Sequence, residues 1–136
     1  MITATLDTNV LISGLLFNGL PRQLLRQAIS GKFSFVLSVA ILEELEDVLR
    51  RPKFGLPPEF VQIVARELEA TATLVYPTSR HKAVKSDPKD DMIVDCGVEG
   101  HCDYIVSGDN HLLSLIEVEG IPVVTPTEFL SKLTSQ

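Results

Sequence analysis

The chain has 136 residues, a length that fits one domain. Hydrophobic residues make up 45% and charged residues 22%, which excludes disordered and collagen-like architectures. Lys+Arg number 12 against 18 Asp+Glu, a net charge of −6; read alone, this argues against a nucleic-acid partner, since phosphate binding is driven by basic side chains.

Ile2–Leu6 is short, β-branched or apolar, and ends at Asp7-Thr8-Asn9, so it reads as a buried strand running into a polar turn. Val10–Leu16 reads as a short helix or turn. Pro21 opens a helix to Ile29, closed by Gly31. Phe33–Leu37 is the second strand. Ser38 then caps a helix whose apolar residues Ile41, Leu42, Leu45, Val48 and Leu49 recur at helical period, until Pro52 stops it. Pro57 and Pro58 open a further helix to about Ala70. Thr73–Tyr76 is the third strand, and 78–89 reads as a surface loop. Asp90–Glu99 is helical, with Gly100 as its C-cap. Tyr104–Val106 is the fourth strand, Asn110–Leu115 a short helix, Ile121–Val124 the fifth strand and Pro126–Leu133 a closing helix.

Strands alternating with helices predict an α/β fold of three α/β/α layers around a parallel sheet, a single domain over residues 1–136. No stretch reaches the roughly 18–20 apolar residues of a membrane span. The opening residues lack the basic region and apolar run of a secretory signal, so the expected location is cytoplasmic. Cys96 and Cys102 show no metal or redox spacing and are expected to be reduced, buried thiols.

In such folds ligands bind beyond the carboxyl ends of the strands, at the point where strand order reverses. Asp7 follows the first strand and Asp109 the fourth. If those strands are neighbours, both carboxylates project into one crevice; the alternative is that each merely caps the next helix. Asp90 lies three, four and seven residues before Ile93, Val94 and Gly97, so it heads the buried face of its helix, whereas Asp91, Asp95 and Glu99 form the solvated face. On the Ser38 helix, Glu43 and Asp47 fall opposite the apolar stripe with Arg50. Glu44 and Glu46 border that stripe on either side, and helix geometry does not choose between them. Carboxylates repel, and they converge at low cost only around a cation. Oxygen ligands point to a hard ion such as Mg²⁺ or Mn²⁺, able to activate a water and polarise a phosphoryl oxygen.

Four segments, in this order, carry a family resemblance: Leu6-Asp7-Thr8-Asn9-Val10-Leu11; Ser38 through Glu43-Glu44-Leu45 to Pro52-Lys53-Phe54; Asp87-Pro88-Lys89-Asp90-Asp91; and Asp103-Tyr104-Ile105-Val106-Ser107-Gly108-Asp109 followed by His111-Leu112-Leu113. Over nearly its whole length the chain resembles the PIN-domain family, and within it the toxin components of prokaryotic toxin–antitoxin systems (VapC-like ribonucleases). The resemblance implies a five-stranded parallel sheet in the order 3-2-1-4-5. It implies that Asp7, Glu44, Asp90 and Asp109 are the catalytic, metal-binding acids, so that among the helix acids Glu44 is selected. It further implies an endoribonuclease using one or two Mg²⁺ or Mn²⁺ ions, leaving a 5′-phosphate and a 3′-hydroxyl. Asn9 and Ser107 follow as secondary site residues; the family often has Thr in place of Ser107. A small antitoxin protein and a second copy of the chain are the implied partners. Val10–Leu16 and Pro57–Leu68 supply apolar surface for either contact, with core packing as the favoured alternative.

Arg80, Lys82, Lys85 and Lys89 precede Asp90 closely and are placed to hold RNA phosphates; Arg50, Arg51 and Lys53 form a weaker cluster. His81, His101 and His111 match no metal spacing, though His111 is near enough to Asp109 to reach the site. The competing function is a PIN-like module that binds RNA or protein without cutting. A phosphatase-like enzyme of the haloacid-dehalogenase type, which needs Asp two residues after its first Asp, is set aside because Asn9 stands there. Setting the four site acids apart leaves a net charge of −2, which one divalent ion brings to about 0 and two to about +2. The acidity that argued against nucleic acid is thus substantially the expected metal site.

Overall fold

A computed structural model of the chain describes residues 1–77 and 88–135, with the side chains of residues 88–90 outside that description. The strands are β1 (Thr3–Leu6), β2 (Ser34–Ser38), β3 (Thr73–Val75), β4 (Tyr104–Val106), β5 (Glu117–Val118) and β6 (Ile121–Val124). The helices are α1 (Thr8–Leu16), α2 (Leu20–Ile29), α3 (Val39–Leu49), α4 (Pro58–Thr71), α5 (Pro88–Glu99), α6 (Asn110–Leu113) and α7 (Pro126–Thr134), with a 3₁₀ turn at Pro52–Phe54. The sheet runs β3-β2-β1-β4-β6-β5, parallel throughout except for the last pair. The chain fills one half of the sheet outward from β1, then returns to lay β4 on the other side of β1. The order therefore reverses between β1 and β4, which is where a ligand crevice opens in such sheets.

The central strands are buried on both faces, as parallel strands covered by helices are. Ala4 and Leu6 alternate with Thr5, and all three are shielded from solvent. Thr5 meets Cys96 of α5, oxygen to sulfur at 3.4 Å, on one face. The opposite face carries α7, whose buried Phe129 lies edge-on to Phe33 at 5.0 Å and to Tyr104 at 5.7 Å between ring centres. Helix α2 packs beside α7, and α1 beside α2. Burial pushes the Cys96 thiol up to about 11 and the Cys102 thiol up to about 12, so both stay protonated and unreactive, as expected of structural cysteines. Among the described residues no helix is long and apolar enough to cross a membrane.

Two features differ from the sequence reading. The sheet has six strands rather than five, because Glu117–Val118 pairs antiparallel with Ile121–Val124. The two residues between them, Glu119 and Gly120, have φ of 48° and 80°, the left-handed pair of a type I′ hairpin turn. Helix α5 begins at Pro88, so Lys89 belongs to the helix and not to a preceding loop. Gly100 is the C-cap of α5, as the sequence indicates, its N–H donating to the Cys96 carbonyl at 2.9 Å; the left-handed residue is the next one, His101, at φ 50°. The N–H of His101 donates to the carbonyl of Val98 at 3.1 Å, and that of Cys102 to Gly97 at 3.0 Å, which is Schellman closure. Gly100 is also needed for space: a Cβ there would meet Val36 Cγ1 at 2.6 Å.

Gly97 is likewise a packing glycine. It lets α5 lie against the sheet, where a Cβ would come 2.6 Å from Ile105 Cγ1. Ile105 is wholly buried and β-branched, so it has little freedom to yield. Gly97→Ala is expected to cost about 1–3 kcal/mol in urea unfolding through overpacking. Gly108→Ala, with nothing within 4 Å of its added Cβ, is expected to stay within about 0.5 kcal/mol of the parent.

Candidate active site

The site is built on the register of β1 and β4, in which Leu6 pairs with Val106. The ladder runs one residue further: the Asp7 N–H donates to the Val106 carbonyl at 3.0 Å, and the Ser107 N–H to the Val124 carbonyl at 2.9 Å. Asp7 and Ser107 are thereby fixed side by side at the carboxyl ends of adjacent strands. The Ser107 hydroxyl donates to Asp7 Oδ2 and accepts the Asp109 N–H at 2.9 Å. One serine thus ties the two acids together. Its own side chain is fully buried.

Both acids also cap helices, so the alternative weighed from sequence holds alongside the crevice. Asp7 Oδ1 accepts the Val10 N–H at 2.9 Å at the start of α1, and Asp109 Oδ1 accepts the His111 N–H at 3.0 Å at the start of α6. Capping occupies one carboxylate oxygen of each residue. It also orients each group rigidly, since the helix it caps is packed into the core through Leu11 or Leu112.

Glu44 arrives from α3. The Ser38 hydroxyl accepts the Ile41 N–H at 3.2 Å, which starts that helix where β2 ends and sets its rotation. Glu43 and Asp47 are exposed, as the wheel placed them, while Glu44 is half-buried and accepts a hydrogen bond from the Thr8 hydroxyl at 3.2 Å. Thr8 is a positioning residue that the sequence reading did not single out. Its place directly after Asp7, at the turn into α1, was the available signal.

Asp7, Glu44 and Asp109 line one cleft of about 310 Å³, with Thr8 and Asn9 in its wall. Ile93 lines it as well and brings α5 to the same place. The side chains of Asp90 and Lys89 lie outside the described residues, as do Arg80, Lys82, Lys85 and His81 entirely. Ile93, Val94 and Gly97, which share a face with position 90, are buried as the helical spacing required; Asp91, Asp95 and Glu99 are half-buried rather than fully solvated. Among the described residues no three His, Cys, Asp or Glu side chains form a group able to hold a metal ion. Asn9 and Asp109 also border a second, shallower groove of about 520 Å³ with Ser13, Asn110 and the exposed His111.

Asp7 is 6% exposed. Burial pushes its carboxyl pKa above the usual value, the hydrogen bonds from Ser107 and the Val10 N–H pull it back, and the charges of Asp109 and Glu44 push it up again. A carboxyl whose pKa is raised on folding binds its proton more tightly in the native than in the unfolded chain. Its contribution to stability is therefore present at low pH and lost as pH rises through the raised value. In metal-free protein, Asp7→Asn is expected to raise the melting temperature at pH 7, with the gain shrinking as pH falls toward 4. Ser107→Ala removes a donor from that buried charge and is expected to cost about 1–3 kcal/mol at pH 7, measured by urea titration.

A protein-family model of the PIN domain matches residues 3–111 of the chain. The crystal structure of PAE2754 from Pyrobaculum aerophilum is similar to it with a TM-score of 0.67 at 10% sequence identity, over 99% of this chain and 91% of that one. At this identity the likeness is one of fold alone. A search of curated proteins finds no match. PIN domains are commonly nucleases and typically use divalent metal ions. With the family model spanning most of its length and the sheet reversing where that fold requires, the chain belongs to the PIN-domain family.

Proposed function

We propose that the protein is a metal-dependent endoribonuclease and the toxin of a toxin–antitoxin pair. One observation carries the reading: a buried carboxylate, Asp7, shares a cleft with Glu44 and Asp109 at the reversal point of the sheet. A structural core has no use for a buried carboxyl whose pKa is raised by burial and further by two acids lining the same cleft. The donor chemistry fits a hard divalent cation, since every candidate ligand is an oxygen and the mutual repulsion is relieved only by positive charge. Asp7, Glu44, Asp90 and Asp109 would hold Mg²⁺ or Mn²⁺. Helix geometry supports Asp90, which stands one turn before the cleft-lining Ile93. When bound, such an ion supplies a water of lowered pKa and a Lewis acid for a phosphoryl oxygen.

The chain's own residues divide the remaining work. Ser107 keeps Asp7 and Asp109 in a fixed relation, and Thr8 orients Glu44 across the cleft. Asn9, exposed at the cleft wall, is placed to hydrogen-bond substrate. The partners belong to the same reading: a small antitoxin and a second copy of the chain, with cytoplasmic location. Val10–Leu16 turns its apolar residues into or against the core, whereas Phe60 and Ile63 of α4 remain exposed, so α4 is the surface that supports a protein partner.

Purified protein with Mn²⁺ or Mg²⁺ is expected to cleave single-stranded RNA, with EDTA stopping the reaction. Asp7→Asn and Asp90→Asn are each expected to lower kcat by about a hundredfold or more with the fold retained. Metal-dependent cleavage that both variants keep would rule out this site. RNA binding by the parent with no metal affinity in calorimetry would favour the non-cutting module.

A further inference from the structure

The cleft also carries charge of the opposite sign. Besides the acids it is lined by Arg51, Lys53 and Phe54. Ile41, Glu44, Val48 and Arg51 recur at steps of three, four and three residues along α3 and its end, and all four line the cleft. The helix that delivers Glu44 therefore delivers Arg51 about two turns later on the same side.

The turn beyond it is well fixed. Pro52 opens it, the Phe54 N–H donates to the Arg51 carbonyl at 3.1 Å, and the Gly55 N–H donates to the Pro52 carbonyl at 3.1 Å. Gly55 closes it at φ 60°, where glycine carries no strain. Lys53 is held with its ammonium 5.1 Å from the centre of the Phe54 ring. Arg51 and Lys53 are both exposed, so their charges are accessible to a ligand entering the cleft.

We propose that Arg51 and Lys53 form the phosphate-holding wall of the cleft and grip the backbone of a single-stranded RNA beside the linkage to be cut. The identity of the polymer rests on the ribonuclease reading above; the anion-binding role rests on the geometry. An acidic cleft repels a polyanion, and these two cations lining the same cleft offset that repulsion for a strand laid along it. Phosphates so held occupy the cleft without touching the bases, so the wall positions substrate and carries no sequence preference.

The test compares the full-length parent with Arg51→Gln/Lys53→Gln, with the charge-keeping Arg51→Lys/Lys53→Arg, and with Lys132→Gln on α7 as a control away from the cleft. Cleavage of a labelled single-stranded RNA is followed with Mn²⁺ across a salt series. The Gln pair is expected to raise KM about tenfold or more with kcat within about threefold. It is also expected to reduce the slope of log affinity against log salt by about 1.4, two phosphates' worth on a single strand. Mn²⁺ affinity in calorimetry stays unchanged, and the charge-keeping pair restores KM. A Gln pair whose KM and salt slope match those of Lys132→Gln overturns the proposal, as does a loss confined to kcat. Should the parent not cut RNA, the same comparison is read as oligonucleotide anisotropy with Mg²⁺. A lost slope there upholds the wall while the nuclease reading fails, and no binding by the parent overturns both.

Discussion

Leu6 pairs with Val106 across a parallel ladder, and that single register governs the chemistry of the cleft. Because the ladder continues through the Asp7 N–H, the first residue past each of the two strands faces its neighbour. One is the acid and the other the hydroxyl that holds it. A slip of one residue would turn Asp7 to the other face of the sheet and place Leu6 in the cleft. The register is in turn secured by burial on both faces, with Thr5 against α5 and the Phe33, Tyr104 and Phe129 rings on the opposite side. The apolar packing and the site are therefore one construction.

The cost of that construction falls on Asp7. Placing a carboxylate in a nearly dry position beside two further acids disfavours its charged form, and the two hydrogen bonds it accepts recover only part of the penalty. A residue kept in that state works against the stability of the metal-free fold. On the proposed reading a bound cation would reverse that balance, since the same repulsion would become ligand affinity. Capping gives each acid a second use: the bonds that start α1 and α6 are also the bonds that aim Asp7 and Asp109. A helix cap and a site residue are thus not competing descriptions of either aspartate.

Much of this was legible in the sequence, for identifiable reasons. Strand ends mark themselves, so Asp7 and Asp109 could be placed at one crevice from the apolar runs before them. Helical period placed Glu44 at the border of its stripe and position 90 at the head of a buried face. Other features depend on information a single sequence does not carry. Glu119-Gly120 lacks the Asn-Gly signature of a type I′ turn, and the strand it creates is two residues long, so β5 went unread. Gly100 was legible as the C-cap of α5, but its second reason, the Val36 side chain 64 positions away in the chain, was not. Arg51 and Lys53 read as a weak charge cluster because charge alone does not show direction. Counting seven residues from Glu44 places Arg51 on the same side, just past the end of α3. The weight given to Arg80, Lys82, Lys85 and Lys89 rested on nearness in sequence to Asp90, and these side chains lie outside the described residues.

The central claim is that the acids beyond β1 and β4 form a divalent-cation site, with Glu44 and Asp90 brought in by α3 and α5. The direct measurement is anomalous diffraction at the manganese edge from crystals grown or soaked with Mn²⁺. A peak bounded by carboxylate oxygens of Asp7 and at least two of Glu44, Asp90 and Asp109 is the predicted result. A Mn²⁺ peak elsewhere on the molecule, with this cleft empty at saturating metal, would contradict the account.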